Sequence, residues 1–204
     1  SINIIGLALS MACCLAIALY VFTELSHDGF HKNKELIYRI TEKQNQAGTL
    51  YNTAMTPGPL SEALRKDFPE IVSTIRFGRW GGVLKNGANT FEESEMLYTE
   101  NSLFSMFDFK VILGNPSKAL SSPDESVITE SIAEKFFGKE WRDNTAILGQ
   151  IFQLNKTHNF KLAAVIEDVP ELSSINFKVL LPIQHYFNTD EWSYKWGSNN
   201  FHTY

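Results

Sequence analysis

Residues 27–31, His-Asp-Gly-Phe-His, place two imidazoles four positions apart around a carboxylate, the one arrangement in this chain that comes near metal chemistry. A zinc motif of the H-E-x-x-H kind needs two histidines one helical turn apart and a glutamate long enough to reach the metal-bound water. Asp28 is one carbon short, Gly29 weakens a helix, and no third ligand stands nearby. The stretch therefore reads as an elbow in which Asp28 and His31 satisfy backbone groups. Glu92, Glu93 and Glu95 lie on a polar segment whose default is a solvated face. Residues 78–87 (GRWGGVLKNG) are glycine-rich but lack the strand-to-helix setting that cradles phosphate, so hairpin turns are expected there. Asn155-Lys156-Thr157 fits the glycosylation triplet, a pattern too common to carry weight. Nucleophile-elbow, phosphate-loop and dinucleotide fingerprints do not occur. No catalytic, cofactor-binding or metal-ligating residue is assigned.

The elements that would position such residues divide sharply. The first 23 residues carry no charged side chain, and every Lys, Arg, Asp and Glu lies from Glu24 onward. Residues 2–22 (INIIGLALSMACCLAIALYVF) would span ~30 Å as a helix, the thickness of a bilayer's hydrocarbon core. A signal peptide would have a basic start and a shorter apolar run, so a transmembrane helix is the reading. Gly6, Ala8, Ser10 and Ala12 give it a small-residue flank for a neighbouring helix. Cys13 and Cys14 are adjacent inside the run, too divergent on a helix for an ordinary disulfide, and read as packing residues. The chain starts without Met and is read as part of a longer protein, so flanking charge cannot orient the helix.

The rest of the chain is long enough for one ordinary domain or two small subdomains. With a net charge of −5 and scattered cations, it lacks the basic face that nucleic acid would need. Residues 24–35 form the elbow. A strand is expected over residues 36–40 and on to about Gln46, before a turn at Gly48. Leu60, Ala63, Leu64 and Phe68 then fall at helical spacing, with Thr56 as cap and Pro69 as stop. Residues 71–80 return as a strand, so residues 36–80 read as β-α-β. From Gly81 the texture is of short, mostly antiparallel strands: around residues 83–85, 90–99, 109–113, 126–129, 151–154 and 160–166. In the last, Phe160, Leu162, Ala164 and Ile166 should share a face. Short helices are expected near residues 101–107 and 131–137, the second with a Ser131/Glu134 capping box and a Gly138 stop. Residues 198–204 look like the first half of a strand whose partner lies partly beyond the end.

Several of these residues, in order, resemble a known family. Ile2-Asn3-Ile4, Gly6-Leu7, Tyr20-Val21, Glu24-Leu25-Ser26, Asp28, Phe30-His31, Asn33 and Ile37-Tyr38-Arg39 are similar to the opening of MacB/FtsX-type ABC-transporter permeases of the Bacteroidota style. The likeness continues through Pro59-Leu60, Phe68-Pro69-Glu70, Leu103-Phe104, Met106-Phe107-Asp108-Phe109, Leu113-Gly114-Asn115-Pro116, Ala119-Leu120, Val127-Ile128-Thr129-Glu130-Ser131, Ala133, Phe137-Gly138 and Val165-Ile166-Glu167-Asp168-Val169-Pro170. Residues 139–150 depart from the family's short turn.

The resemblance implies an α+β architecture: a transmembrane helix (1–23), an elbow (24–35) and a MacB-like periplasmic core domain (36–204). Within it are expected a porter-like β-α-β half (36–80), a mostly antiparallel Sabre-like part (81–197) and the start of a returning strand (198–204). It implies a non-catalytic permease subunit in the inner membrane, with residues 24–204 in the periplasm and no cofactor. The implied partners are a cytoplasmic ABC ATPase, a second permease copy or paired permease, membrane lipid, and an adaptor with an outer-membrane channel. Export of peptides or drugs, lipoprotein handling and envelope mechanotransmission all fit. Asp28, Gly29, Phe30 and His31 are the candidates for coupling helix to domain, with Gly29 supplying a backbone angle that other residues resist. The rival reading is a single-pass anchored sensor or ligand-binding domain; an anchored hydrolase would need a nucleophile and base that are not found.

Overall fold

The computed structural model describes residues 2–204. Helix α1 (Ile2–Leu25) carries a 23-residue stretch, Asn3–Leu25, long and apolar enough to cross a membrane. Its described side chains are exposed, with Ile4 at 74% and Phe22 at 71%. The hydroxyls of Ser10, Thr23 and Ser26 donate to the carbonyls of Gly6, Leu19 and Phe22, so these polar groups need no water.

The elbow ends in a 3-10 turn, Lys34–Leu36, where a strand was expected to begin at residue 36. Residues 37–41 run extended alongside the C-terminal strand, where Ile40 N–H donates to Thr203 O. The first true strand, β1 (Glu42–Gln46), forms a separate two-stranded hairpin with β2 (Thr49–Thr53), turned by Ala47 and Gly48 at positive φ. Strand β2 was not anticipated; it follows from the Gly48 turn.

The remaining nine strands form one mixed sheet: β3 (Thr56–Pro57), β4 (Arg76–Asn86), β5 (Asn89–Thr99), β6 (Val111–Gly114), β7 (Glu125–Thr129), β8 (Ile151–Leu154), β9 (His158–Ile166), β10 (Val179–Pro182) and β11 (Asn199–Thr203). The order is β3-β11-β4-β5-β10-β7-β9-β6, with β8 pairing β4 and β9. Thus β11 lies in the sheet with partners inside the chain, antiparallel to both β3 and β4. A β-α-β unit does exist, but its first strand is β3, its helix is α2 (Leu60–Asp67), and β4 starts five residues later than expected. Thr56 does not cap α2; its buried hydroxyl donates to Phe201 O at 2.9 Å and meets Thr203 Oγ1 at 2.7 Å. Arg76, 4% exposed, ties β4 to α2 through Glu62 and to the end of β5 through Glu100.

Most neighbours are antiparallel, but β5–β10 and β7–β9 are parallel. The unforeseen β10 explains the difference: Val179, Leu180 and Leu181 are all buried because both faces of the sheet are covered, which leaves an apolar run without alternation. One core layer contains Met96, Tyr98, Ile128, Val179 and Leu181, packed under α4 (Glu130–Phe137) and α5 (Ile183–Thr189). The other contains Leu97, Val127, Leu180 and Phe177, with Leu103 of α3 (Leu103–Met106). Phe160 and Leu162 belong to the first layer, Ala164 and Ile166 to the second. The expected single face breaks at a bulge, where Ser126 faces Leu162 but Val127 faces Ala164.

Local chemistry differs at three other points. Thr129, not Ser131, is the N-cap of α4, while Gly138 ends it at φ +79. Glu93 is buried, its carboxylate accepting from the N–H groups of Ser94 and Glu95 and facing Lys135. Residues 78–86 are strand, and the expected hairpin turn falls at Gly87, φ +57, between β4 and β5; Gly82 sits where a Cβ would meet Asn155 Oδ1 at 2.5 Å.

Candidate coupling site

The end of α1 passes into the domain through successive tight turns: Gly29 N–H donates to Ser26 O, His31 N–H to Asp28 O and Lys34 N–H to His31 O. Such a coiled path is short and leaves few free torsions. Two remote segments hold it. On one side, Asp28 N–H donates to Leu172 O at 2.9 Å and Asp28 Oδ1 accepts from Ser174 N–H at 2.9 Å. On the other, Asp108 N–H donates to His31 Nδ1 at 3.0 Å and Asp108 Oδ2 accepts from Lys32 N–H at 2.7 Å.

The left-handed position of the elbow is Asp28, at φ +56, and not Gly29. A short polar side chain tolerates this conformation better than most. Glycine is needed next door for a different reason: a Cβ on Gly29 would meet Ser26 O at 3.0 Å. Phe30 is half-buried against the second core layer, 6.0 Å between centroids from Phe109. His31 is 3% exposed and meets Phe107 and Phe109 edge-on at 5.1 and 5.3 Å.

His31 holds one proton chemistry. Nδ1 accepts from Asp108, so the neutral ring carries its proton on Nε2, which is buried and has no hydrogen-bond partner among the described residues. Burial lowers its pKa, against the opposing pull of Asp28 and Asp108. The ring is thus a neutral pin. His27 is exposed and His31 buried, so the two imidazoles do not share a face. Among the described residues no three His, Cys, Asp or Glu side chains gather as a metal group.

All four coupling candidates therefore meet at one joint, with Asp108, Leu172 and Ser174 as partners that spacing could not reveal. Asp108 falls within the family-like stretch Met106-Phe107-Asp108-Phe109; residues 171–174 carry no local signal.

Solved structures share this fold. A permease-protein domain from Porphyromonas gingivalis is 22% identical with a TM-score of 0.66, over 81% of this chain and 72% of that one. The periplasmic region of MacB from Actinobacillus actinomycetemcomitans is 18% identical with a TM-score of 0.51, over 67% and 60%. The extracellular domain of the noncanonic ABC-type transporter YknZ from Gram-positive bacteria is 15% identical with a TM-score of 0.53, over 74% and 73%. No curated protein sequence matches. The family model for the MacB-like periplasmic core domain matches residues 1–201, from the apolar helix through the elbow to the C-terminal strand, and the chain belongs to that family.

Proposed function

We propose that this chain is the outer-facing part of an ABC-transporter permease subunit, in which the elbow passes movements of α1 to the folded domain. The observation that carries the reading is the double anchorage of residues 28–32, to residues 172–174 on one side and to Asp108 on the other. A helix that ends in a pinned joint moves its domain as a rigid body, whereas a flexible tether would absorb the displacement. The chain itself hydrolyses nothing; a separate cytoplasmic ATPase supplies the work, and a second permease copy supplies the facing domain. Residues 24–204 lie outside the inner membrane. Coupling to an adaptor and outer-membrane channel, and the export or mechanotransmission that results, belong to the same reading. So does the division into a porter-like half (36–80) and a Sabre-like part (81–197), whose boundary falls within β4, at its bulge between Trp80 and Gly82.

The test is an insertion of about six Gly/Ser residues after Ser26 in the full-length protein, which adds flexible reach upstream of the bonds that anchor residues 28–32 to the domain. Membrane insertion and folding should persist, while transport or target activation is lost and the partner's ATP hydrolysis continues uncoupled. Full function after the insertion would remove the coupling role. A reporter active only outside the cytoplasm, fused after Tyr204, should be active; activity solely from a cytoplasmic reporter would reverse the topology.

A further inference from the structure

An open cup of about 360 Å³ lies over the first core layer, on the opposite face of the sheet from the layer that receives the elbow. Its walls come from five places in the chain: Trp80 of β4, Tyr98 of β5, His158 at the start of β9, His185 and Tyr186 of α5, and Asp190 just after α5. Tyr98 and Tyr186 stack at 5.1 Å, Trp80 stands 5.8 Å from each, and the two imidazoles meet edge to face at 4.7 Å. Tyr98 is buried while Trp80 remains 39% exposed, so the cup has an aromatic floor and an accessible aromatic wall.

Charge narrows what fits. No Lys or Arg lines the cup, and Asp190 is its one carboxylate. Asp190 Oδ1 accepts from Trp192 N–H, and the carboxylate makes no ion pair among the described residues. Burial raises the Tyr186 phenol pKa and Asp190's negative charge adds to the rise, so that charge is felt inside the cup. Burial and the neighbouring His158 lower the pKa of His185, which leaves it uncharged at neutral pH. A negative pocket with π faces repels anions and attracts cations whose charge sits on an apolar body. The volume is that of a small-molecule site.

We propose that this cup binds a small organic ammonium ion, quaternary or protonated, with its charge shared by the Asp190 carboxylate and the Trp80 ring and its apolar body over Tyr98 and Tyr186. The site does not depend on the coupling role of the elbow.

The experiment is calorimetric titration of the full chain in lipid nanodiscs with choline, and with its uncharged isostere in which a tert-butyl group replaces trimethylammonium. Choline should bind saturably and about tenfold better than the isostere, as expected for a cation–π contact reinforced by a carboxylate. Asp190→Asn keeps the carbonyl oxygen that accepts from Trp192 N–H, so the turn survives, and it should abolish the preference. Trp80→Leu should weaken choline about tenfold with an unchanged circular dichroism spectrum. Equal binding of choline and isostere, a preference that survives Asp190→Asn, or no saturable binding of either choline or benzyltrimethylammonium would overturn the proposal.

Discussion

The elbow and the β1–β2 hairpin are near neighbours in the chain, both are polar, and both lie outside the nine-stranded sheet. Their energetics are opposite. The elbow buries His31, half-buries Phe30 and exchanges hydrogen bonds with two remote loops. The hairpin exposes Leu50 at 68% and Tyr51 at 51%, and its reach toward the sheet includes a side-chain contact from Asn199 to Glu42. A lone two-stranded hairpin is marginal by itself. What separates a joint from an appendage is thus the set of long-range partners, which composition does not record.

The contrast should be sharpest at His31. Replacing it by Ala removes a buried ring and strands the Asp108 N–H that donates to Nδ1. The sum of lost packing and an unsatisfied donor is about 3 kcal/mol. His31→Asn places an oxygen near the Nδ1 position and should recover part of that loss. Urea denaturation of both variants measures it; a His31→Ala midpoint equal to the parent's would show that the pin holds nothing.

Asp28 comes next. Asp28→Ala loses the bond from Ser174 N–H and puts a residue less tolerant of positive φ at +56, for a loss of about 2 kcal/mol. Asp28→Asn keeps a carbonyl acceptor and a residue that visits this conformation, and should cost much less. If Asn and Ala were equally harmful, the carboxylate charge rather than the turn geometry would be the important feature.

Acid should act on the elbow before it acts on the hairpin, which contains no histidine. Burial lowers the pKa of His31, and also those of His185 and His202. The unfolded chain therefore binds more protons than the folded one just below the ordinary histidine value of ~6.5. The stability that these neutral rings contribute is complete above that value and falls as pH drops through it. At His31 a proton on Nδ1 would also face the Asp108 amide. Stability measured on either side of that pH should fall on acidification, and fall less in His31→Asn. An unchanged slope in the variant would take His31 out of the pH response.

How much of this was legible follows from the range of each interaction. The apolar helix α1, α2, α4, β8 and the Gly138 stop rest on runs of neighbouring residues, and pattern alone located them. The β10 run failed to alternate because it is covered on both faces, and β9 changed face at a bulge that no local spacing encodes. Residues 36–40 carry strand-forming side chains, yet among the described residues one backbone bond, Ile40 N–H to Thr203 O, ties them to the sheet, beside a side-chain contact from Arg39 to His202. The elbow was expected because a polar, Gly-broken composition sits where an apolar helix stops. Its partners, 76 to 146 residues away, could not be named in advance.

The smallest effect should come from the hairpin. Leu50→Ser with Tyr51→Ser removes two exposed apolar side chains from β2, neither of them in a core layer. Their solvent-facing surface gains little from folding, so stability should change by no more than ~0.5 kcal/mol. The backbone ladder from Glu42–Thr53 to Gln46–Thr49 is untouched, and Ala47 and Gly48 still supply the turn. Coupling should also persist, because the hairpin follows the elbow in the chain and lies beyond the contacts of Asp28 and His31. In the full-length transporter the double variant should keep transport close to the parent's, while the insertion after Ser26 abolishes it. Loss of transport with unchanged stability in the hairpin variant would mean that its exposed Leu50 and Tyr51 meet a partner, and the hairpin would then rank with the elbow as a working part.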